Sequence, residues 1–339
     1  MRKIILLLLL VNLSVFSTIF FQETKREEVA TISSQNTTEK KTEDSSGVSI
    51  PIKTIHFGDL MLDRGVEASI KSGVDPFENV KDTIRMGAFD VVAVNLEGPF
   101  TDSQECQEKP YTFRFEPEYV SLLKSAGITA VSISNNHTLD CYEEGEKDTK
   151  RILSENGIDD FGGFNPKPTV HYQEINDRTV AFLGFDTTMN SHSEEMMIKE
   201  VAEASSVADV VVVYMHWGNE YETEPNQNQT TLARALVASG ADLIIGHHPH
   251  VLQPAEIIED SVVFYSLGNF IFDQILEENR TGAGVEVVFK EEATDFRVYP
   301  FLISGNQPSF YEGENRTALC DRVLGDISGT CKFTLPSSQ

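Results

Sequence analysis

The sequence predicts an α/β protein, and three observations carry that prediction. From about residue 52 onward, short β-branched runs alternate with stretches whose apolar residues recur at helical spacing. Residues 208–215 form an apolar run broken only by Asp209, the pattern of a strand covered on both faces. Polar candidate ligands recur just past the C-terminal ends of the predicted strands, where the loops of an open α/β sheet converge on a ligand crevice.

Residues 52–57 read as a first strand that ends at Gly58-Asp59. A helix is expected after Asp75-Pro76, with the proline in its first turn, and runs to about Gly87. Residues 89–94 form a second strand ending at Asn95-Leu96-Glu97-Gly98. A helix over 118–126 stops at Gly127, and the third strand, 128–133, ends at Ser134-Asn135-Asn136-His137. A further helix, 144–155, is closed by Asn156-Gly157. Residues 170–186 read as two strands around an Asn176-Asp177 turn. The 208–215 strand ends at His216-Trp217-Gly218, and a helix over 230–239 stops at Gly240. Residues 243–245 lead into Gly246-His247-His248-Pro249-His250. Strands near Ile257 and over 262–265 lead to Ser266-Leu267-Gly268-Asn269-Phe270, and another lies over 285–289.

Composition bounds the rest. With 339 residues, 40% of them hydrophobic, the chain can bury a large core. A net charge of −26 argues against a nucleic-acid partner, because phosphate binding needs clustered Lys and Arg. Arg2 and Lys3 precede an apolar run over residues 4–21, the pattern of an export signal at the lower end of bilayer-spanning length. No small-x-small cleavage site follows, since Phe20-Phe21-Gln22 comes next, and there is no nearby cysteine for a lipid anchor. Residues 1–21 are therefore expected to be a signal anchor, with a cleaved signal peptide as the alternative. Either puts the bulk of the chain outside the cytoplasm: membrane-anchored at the cell surface or in the periplasm, or secreted. Residues 22–49, rich in Thr, Ser, Glu and Lys, read as a flexible polar linker. Residues 50–305 are expected to be the folded domain and 306–339 a C-terminal tail. None of Cys106, Cys141, Cys320 and Cys331 forms a C-x-x-C pair. In an exported chain two disulfides are the natural expectation, Cys106 with Cys141 and Cys320 with Cys331, against four free thiols.

Asp59, Glu97, Asn136, His137, His216, His248 and His250 bring carboxylate, amide and imidazole groups to strand ends in five separate segments. Such mixed oxygen and nitrogen donors suit a borderline divalent metal, Mn2+, Zn2+ or Fe2+, as one ion or two; the histidines exclude a dedicated Ca2+ cage. The strongest local signal is the imidazole pair spaced i, i+2 in the 246–250 segment. Glu97, directly after an apolar run, would be costly to bury unpaired. His56, His171 and His192 stand apart from these motifs and are read as structural.

The motifs Gly58-Asp59-Leu60-Met61-Leu62, Asn95-Leu96-Glu97, Asn135-Asn136-His137-Thr138-Leu139-Asp140, His216-Trp217-Gly218-Asn219-Glu220-Tyr221, Gly246-His247-His248-Pro249-His250 and Tyr265-Ser266-Leu267-Gly268-Asn269-Phe270 follow one another in order. Together they resemble the CapA-type (PgsA) poly-γ-glutamate capsule synthesis family, over about residues 53–273. That family is similar to calcineurin-like metallophosphoesterases, and the resemblance implies a four-layer α/β sandwich with two central mixed sheets. It implies Asp59 as the first metal carboxylate, Glu97 at the bridging position, Asn136 as the amide ligand, and His216, His248 and His250 as imidazole ligands. His137 matches the imidazole that meets substrate or leaving group, which makes it the candidate catalytic general acid. Asn95, Asn135, His247 and Asn269, in the same motifs, fall to supporting the ligands or touching substrate. Two positions depart from the phosphoesterase pattern: Met61 stands where a histidine is expected, and Glu97 where an aspartate is.

The resemblance implies synthesis, export or anchoring of poly-γ-glutamate or a similar surface polymer. One reading is a metal-dependent hydrolase acting on an anionic polymer, phosphoester or amide. Its alternatives are a non-catalytic metal- or polymer-binding subunit beside membrane synthase partners, and a general extracytoplasmic phosphodiesterase. A polyanion approaching so acidic a chain needs local positive charge, for which Arg64, Lys109 and Arg114 are candidates.

Overall fold

Two mixed sheets lie face to face, and helices cover the outer side of each. The computed structural model describes residues 49–164, 167–189 and 192–337. The expected anchor, 1–21, and all but the last residue of the expected linker, 22–49, lie outside the described residues. The first sheet holds β1 (Ile52–Leu60), β2 (Val91–Leu96), β3 (Ala130–Ser132), β4 (Asp159–Phe161), β11 (Asn269–Ile271), β12 (Thr281–Phe289), β13 (Ala293–Ser304), β14 (Gln307–Phe310) and β15 (Lys332–Pro336). Its spatial order is β14-β13-β12-β1-β2-β3-β4, with β11 beside β1 and β15 beside β13. The second holds β5 (His171–Ile175), β6 (Arg178–Asp186), β7 (Val210–His216), β8 (Leu243–His247), β9 (Leu252–Ile258) and β10 (Ser261–Leu267), in the order β5-β6-β7-β8-β10-β9.

The two-residue period of a strand sorts side chains into layers. Along β7, Val210, Val212 and Tyr214 enter the core between the sheets, while Val211, Val213 and Met215 face the helices Glu194–Ser205 and Gln227–Ala238. Along β1, Ile55 and Phe57 face the opposite outer layer, built by Arg64–Lys71, Lys81–Met86, Val120–Ala126 and Tyr142–Glu155. The result is the four-layer α/β sandwich with two mixed sheets that the motifs implied.

The Asn176-Asp177 turn joins β5 to β6 with both residues at positive φ, as a two-residue hairpin requires. The helix expected after Pro76 starts later, at Lys81, because Asp75 closes a turn instead. Its Oδ1 accepts Phe77 N at 2.9 Å and its carbonyl accepts Glu78 N at 3.2 Å. Beyond residue 305 the chain stays in the fold. It supplies β14, the helix Gly313–Leu324 and β15, and Cys320, Val323 and Leu324 enter the core between the sheets. Both expected cysteine pairs are disulfide-bonded, Cys106–Cys141 and Cys320–Cys331. Among the described residues no helix is long and apolar enough to cross a membrane.

Candidate metal centre

The parallel registers of the two sheets assemble the site. Across β1, Asp59 is paired with Asn95 of β2 on one side and with Asn269 of β11 on the other. In the second sheet His216, the last residue of β7, is paired with His247, the last of β8. Glu97 follows β2 directly, and the 135–137 segment follows shortly after β3. Backbone proximity makes two glycines obligatory here. A Cβ on Gly58 would lie 1.9 Å from the Gly268 carbonyl oxygen, and one on Gly246 would lie 2.0 Å from that of Tyr265. His248 (φ 92°) and His250 (φ 57°) hold left-handed backbone, which non-glycine residues adopt chiefly where surrounding structure enforces it.

The seven candidate ligand and catalytic residues converge. Asn95 donates to Asp59 Oδ1 at 2.8 Å, and Asp59 Oδ2 accepts the backbone N–H of His248 at 3.2 Å. His247 Nδ1 stands 3.2 Å from Asp59 Oδ1, and His250 Nδ1 stands 3.3 Å from Oδ2. Asn135 donates to Asn95 Oδ1 at 3.1 Å, tying the β3 loop to this group. His216 Nε2 meets Asn136 Oδ1 at 2.8 Å, and the His216 ring lies 4.8 Å from that of His248. Asn269 Oδ1 contacts His250 Nδ1 at 2.9 Å, which turns Nε2 toward Glu97, 3.6 Å from its Oε1.

Glu97 is the anomaly. It is fully buried, and neither carboxylate oxygen has a hydrogen-bond partner among the described residues. Oxygens of Asp59 and Glu97 and a nitrogen of His250 all lie within 4.8 Å of one another, and Glu220, His248 and His250 form a second such group sharing His250. A buried orphaned carboxylate among carboxylate and imidazole donors is the donor set of a borderline divalent cation, so the residues fit that group.

The charges agree with this geometry. Burial pushes Asp59 up, but the adjacent imidazoles of His247 and His250 outweigh it and hold the carboxyl well below its ordinary range. Glu97 is pushed well above its ordinary value by burial, against the pull of His250. Burial alone would lower His250, yet the carboxylates of Glu97 and Asp59 raise it to about 9. Burial and the neighbouring His250 lower His248 to about 4, and burial and His248 hold His216 well below the usual histidine range.

His137 lies at the mouth of this group. Its Nδ1 pairs with Asp140 Oδ2 at 2.8 Å, its Nε2 stands 3.8 Å from Glu97, and Phe113 stacks on its ring at 4.0 Å. Burial lowers His137, opposed by Asp140. Asp140 and Glu220 were visible only as members of their motifs; a carboxylate three residues beyond His137 was the usable signal for Asp140. Met61 is not presented as a ligand, since its Sδ accepts Asp63 N at 3.0 Å. His56 is buried between Thr54 Oγ1 and Tyr214 Oη, each at 2.8 Å, and His192 bonds Asp186 N and the Gly163 carbonyl. Of the three cations considered for polymer binding, Lys109 pairs with Asp140, and Arg114 with Glu116. Arg64 lines a cavity of about 530 Å³ together with Glu97, His137 and His250.

Fold and site together define a four-layer α/β sandwich with a carboxylate–imidazole cluster at the C-terminal strand edges of both sheets. The chain belongs to the family described as bacterial capsule synthesis protein PGA_cap, whose pattern matches residues 53–274. It is 36% identical over 274 residues to the PGA biosynthesis protein CapA of Bacillus subtilis (strain 168), covering 74% of this chain and 72% of that protein. It is 33% identical over 278 residues to the capsule biosynthesis protein CapA of Bacillus anthracis, covering 74% and 67%. Among solved structures it resembles a hypothetical protein from Thermus thermophilus (TM-score 0.45, 17% identity), covering 77% of this chain and 98% of that one.

Proposed function

We propose that the chain is an extracytoplasmic, membrane-associated, metal-dependent protein with hydrolase-like chemistry, acting in the synthesis, export or anchoring of poly-γ-glutamate or a similar anionic polymer. The observation that carries the metal reading is buried Glu97, with both oxygens orphaned beside Asp59 and His250. Asp59, Glu97 and His250 would hold a divalent cation, with His248, His216 and Asn136 beside them. Such an ion polarises a phosphoester or amide oxygen and makes water a better nucleophile near neutral pH.

The remaining chemistry belongs to the side chains. Asp140 holds His137 with Nδ1 engaged, leaving Nε2 to exchange a proton with a leaving group. Phe113 covers one face of that imidazole and keeps water from it. Two disulfides support an oxidising, extracytoplasmic compartment. Membrane association would rest on residues 4–21, and carbonate extraction of cell membranes tests it: release of the chain contradicts an anchor.

Met61, which stands where the phosphoesterase pattern has a histidine and whose sulfur accepts the Asp63 N–H, favours a second reading in which the site binds metal or polymer without turnover. Hydrolysis separates the two. The full chain is incubated with Mn2+ or Zn2+ and a phosphodiester, a phosphomonoester or a γ-glutamyl amide. Turnover that disappears in His137→Ala supports the enzyme; no turnover on any of the three supports the subunit.

A further inference from the structure

Arg64 occupies a place the metal chemistry leaves unused. Its guanidinium pairs with Asp273 and lies over three aromatic rings: Phe113 at 5.0 Å, Phe272 at 5.6 Å and Tyr111 at 5.7 Å. Two of those rings also touch the metal centre, since Phe113 stacks on His137 at 4.0 Å and Phe272 lies 5.0 Å from the ring of His250. One ring therefore separates the guanidinium from each imidazole, so its position relative to them is fixed.

The residue is held at some cost. Arg64 has φ of 52°, a left-handed conformation uncommon for a side chain of this size. Asp63 Oδ1 accepts its backbone N–H at 2.6 Å, and Asp273 Oδ2 accepts that of Gly65 at 3.0 Å, which keeps the turn in place. Despite this fixing, Nε is buried without a hydrogen-bond partner, while the side chain as a whole remains 32% exposed. A guanidinium has five N–H donors in a planar fork, and the Asp273 contact leaves several of them unused.

The cavity supplies the complementary argument. Among the described residues that line it, Arg64 is the one lysine or arginine, set against Glu97, Glu220 and Asp273. In a chain of net charge −26, an anionic ligand entering this cleft meets the Arg64 guanidinium at its rim and the His250 imidazole deeper in. Tyr111 and Tyr221 line the same cavity and offer apolar surface to methylene groups.

We propose that Arg64 is a specificity-determining residue that receives a free carboxylate of the substrate and so places the adjoining amide at the Glu97–His137–His250 cluster. A γ-linked glutamate chain carries one such α-carboxylate per residue, and a planar carboxylate matches the guanidinium fork. The assignment rests on the polymer reading given above.

The test measures binding of a γ-linked glutamate tetramer to the full chain by calorimetry, in wild type, Arg64→Asn and Arg64→Lys. Asparagine tolerates the left-handed backbone, so Arg64→Asn keeps the turn. Loss of one charge-assisted interaction is expected to weaken binding about 10–100-fold in Arg64→Asn. Lysine should restore only part of the loss, because a point charge lacks the fork. A tetramer bearing α-carboxamides should bind wild type as weakly as the acid binds Arg64→Asn, a comparison that needs no variant to fold. Equal affinities for acid and amide, an unchanged affinity in Arg64→Asn, or no binding of the acid by wild type each overturn the proposal. So does Arg64-dependent binding of inorganic phosphate in preference to the tetramer. Metal content is measured in the same samples. Arg64-dependent tetramer binding by a protein that holds no metal would sink the metal reading and leave this one standing.

Discussion

Glu97 Oε1 lies 3.6 Å from His250 Nε2, between two buried side chains drawn from different sheets. The imidazole is held in that direction from behind, by Asn269 Oδ1 at 2.9 Å from Nδ1. An imidazole fixed from behind through its other ring nitrogen is the arrangement by which proteins orient a histidine toward a cation.

Asn269→Ala should therefore weaken divalent-cation affinity by about 10–100-fold without removing a ligand. Titration of the metal-stripped chain with Zn2+ or Mn2+ measures it. Unchanged affinity would mean that the amide does not aim His250.

Asp140 bears on His137 rather than on the cluster. Asp140→Asn should lower any turnover by about 10–100-fold while leaving cation content unchanged, because the imidazole loses the carboxylate that sets its tautomer. Parallel loss of metal in this variant would show that Asp140 acts on the fold of the site instead.

His192 makes stability depend on pH. Burial pushes it down to about 4, and neutral Nδ1 accepts Asp186 N at 2.8 Å. In the unfolded chain the group titrates near 6.5. Its contribution is intact above pH 6.5 and is lost as pH falls toward 4, where the folded form also takes the proton. The loss amounts to about 3 kcal/mol. Denaturant unfolding of wild type and His192→Gln at pH 7.5, 5.5 and 4 measures this; equal pH slopes in the two proteins would contradict it.

The Cys106–Cys141 disulfide closes 35 residues of chain and holds the loop that carries Lys109 and Phe113. Gln107 N also donates to the Asp140 carbonyl at 2.7 Å, so the loop grips the His137–Asp140 segment directly. Replacing both cysteines with alanine should cost about 4 kcal/mol of stability through a less constrained unfolded chain. A thermal-unfolding midpoint equal to that of wild type would contradict this.

Much of the architecture was legible because periodicity and strand ends speak locally. The 208–215 run became β7, buried on both faces, and Asn176-Asp177 became the β5–β6 turn. The strand-end polar residues came together because parallel registers bring neighbouring C-terminal ends side by side. What escaped lacked such signals. β4 has three residues, and the helix Arg64–Lys71 buries only Val66. Pro300 within β13 disguises a twelve-residue strand, since proline argues against a strand interior. The stripe Met197, Val201, Ala204 did carry the helix Glu194–Ser205, with Ser193 capping it, and was readable in principle. The particular contacts of Asp140 and Arg64 escaped because they are made in the folded chain, with His137 and with Asp273.

The most direct measurement is the metal content of the full chain, by mass spectrometry after exhaustive dialysis, in wild type, His250→Ala and Glu97→Gln. A buried carboxylate–imidazole centre predicts one or two equivalents of a transition metal in wild type and a marked loss in both variants, with Arg64→Asn retaining it. A wild-type chain without metal, or metal content indifferent to both substitutions, would contradict the account.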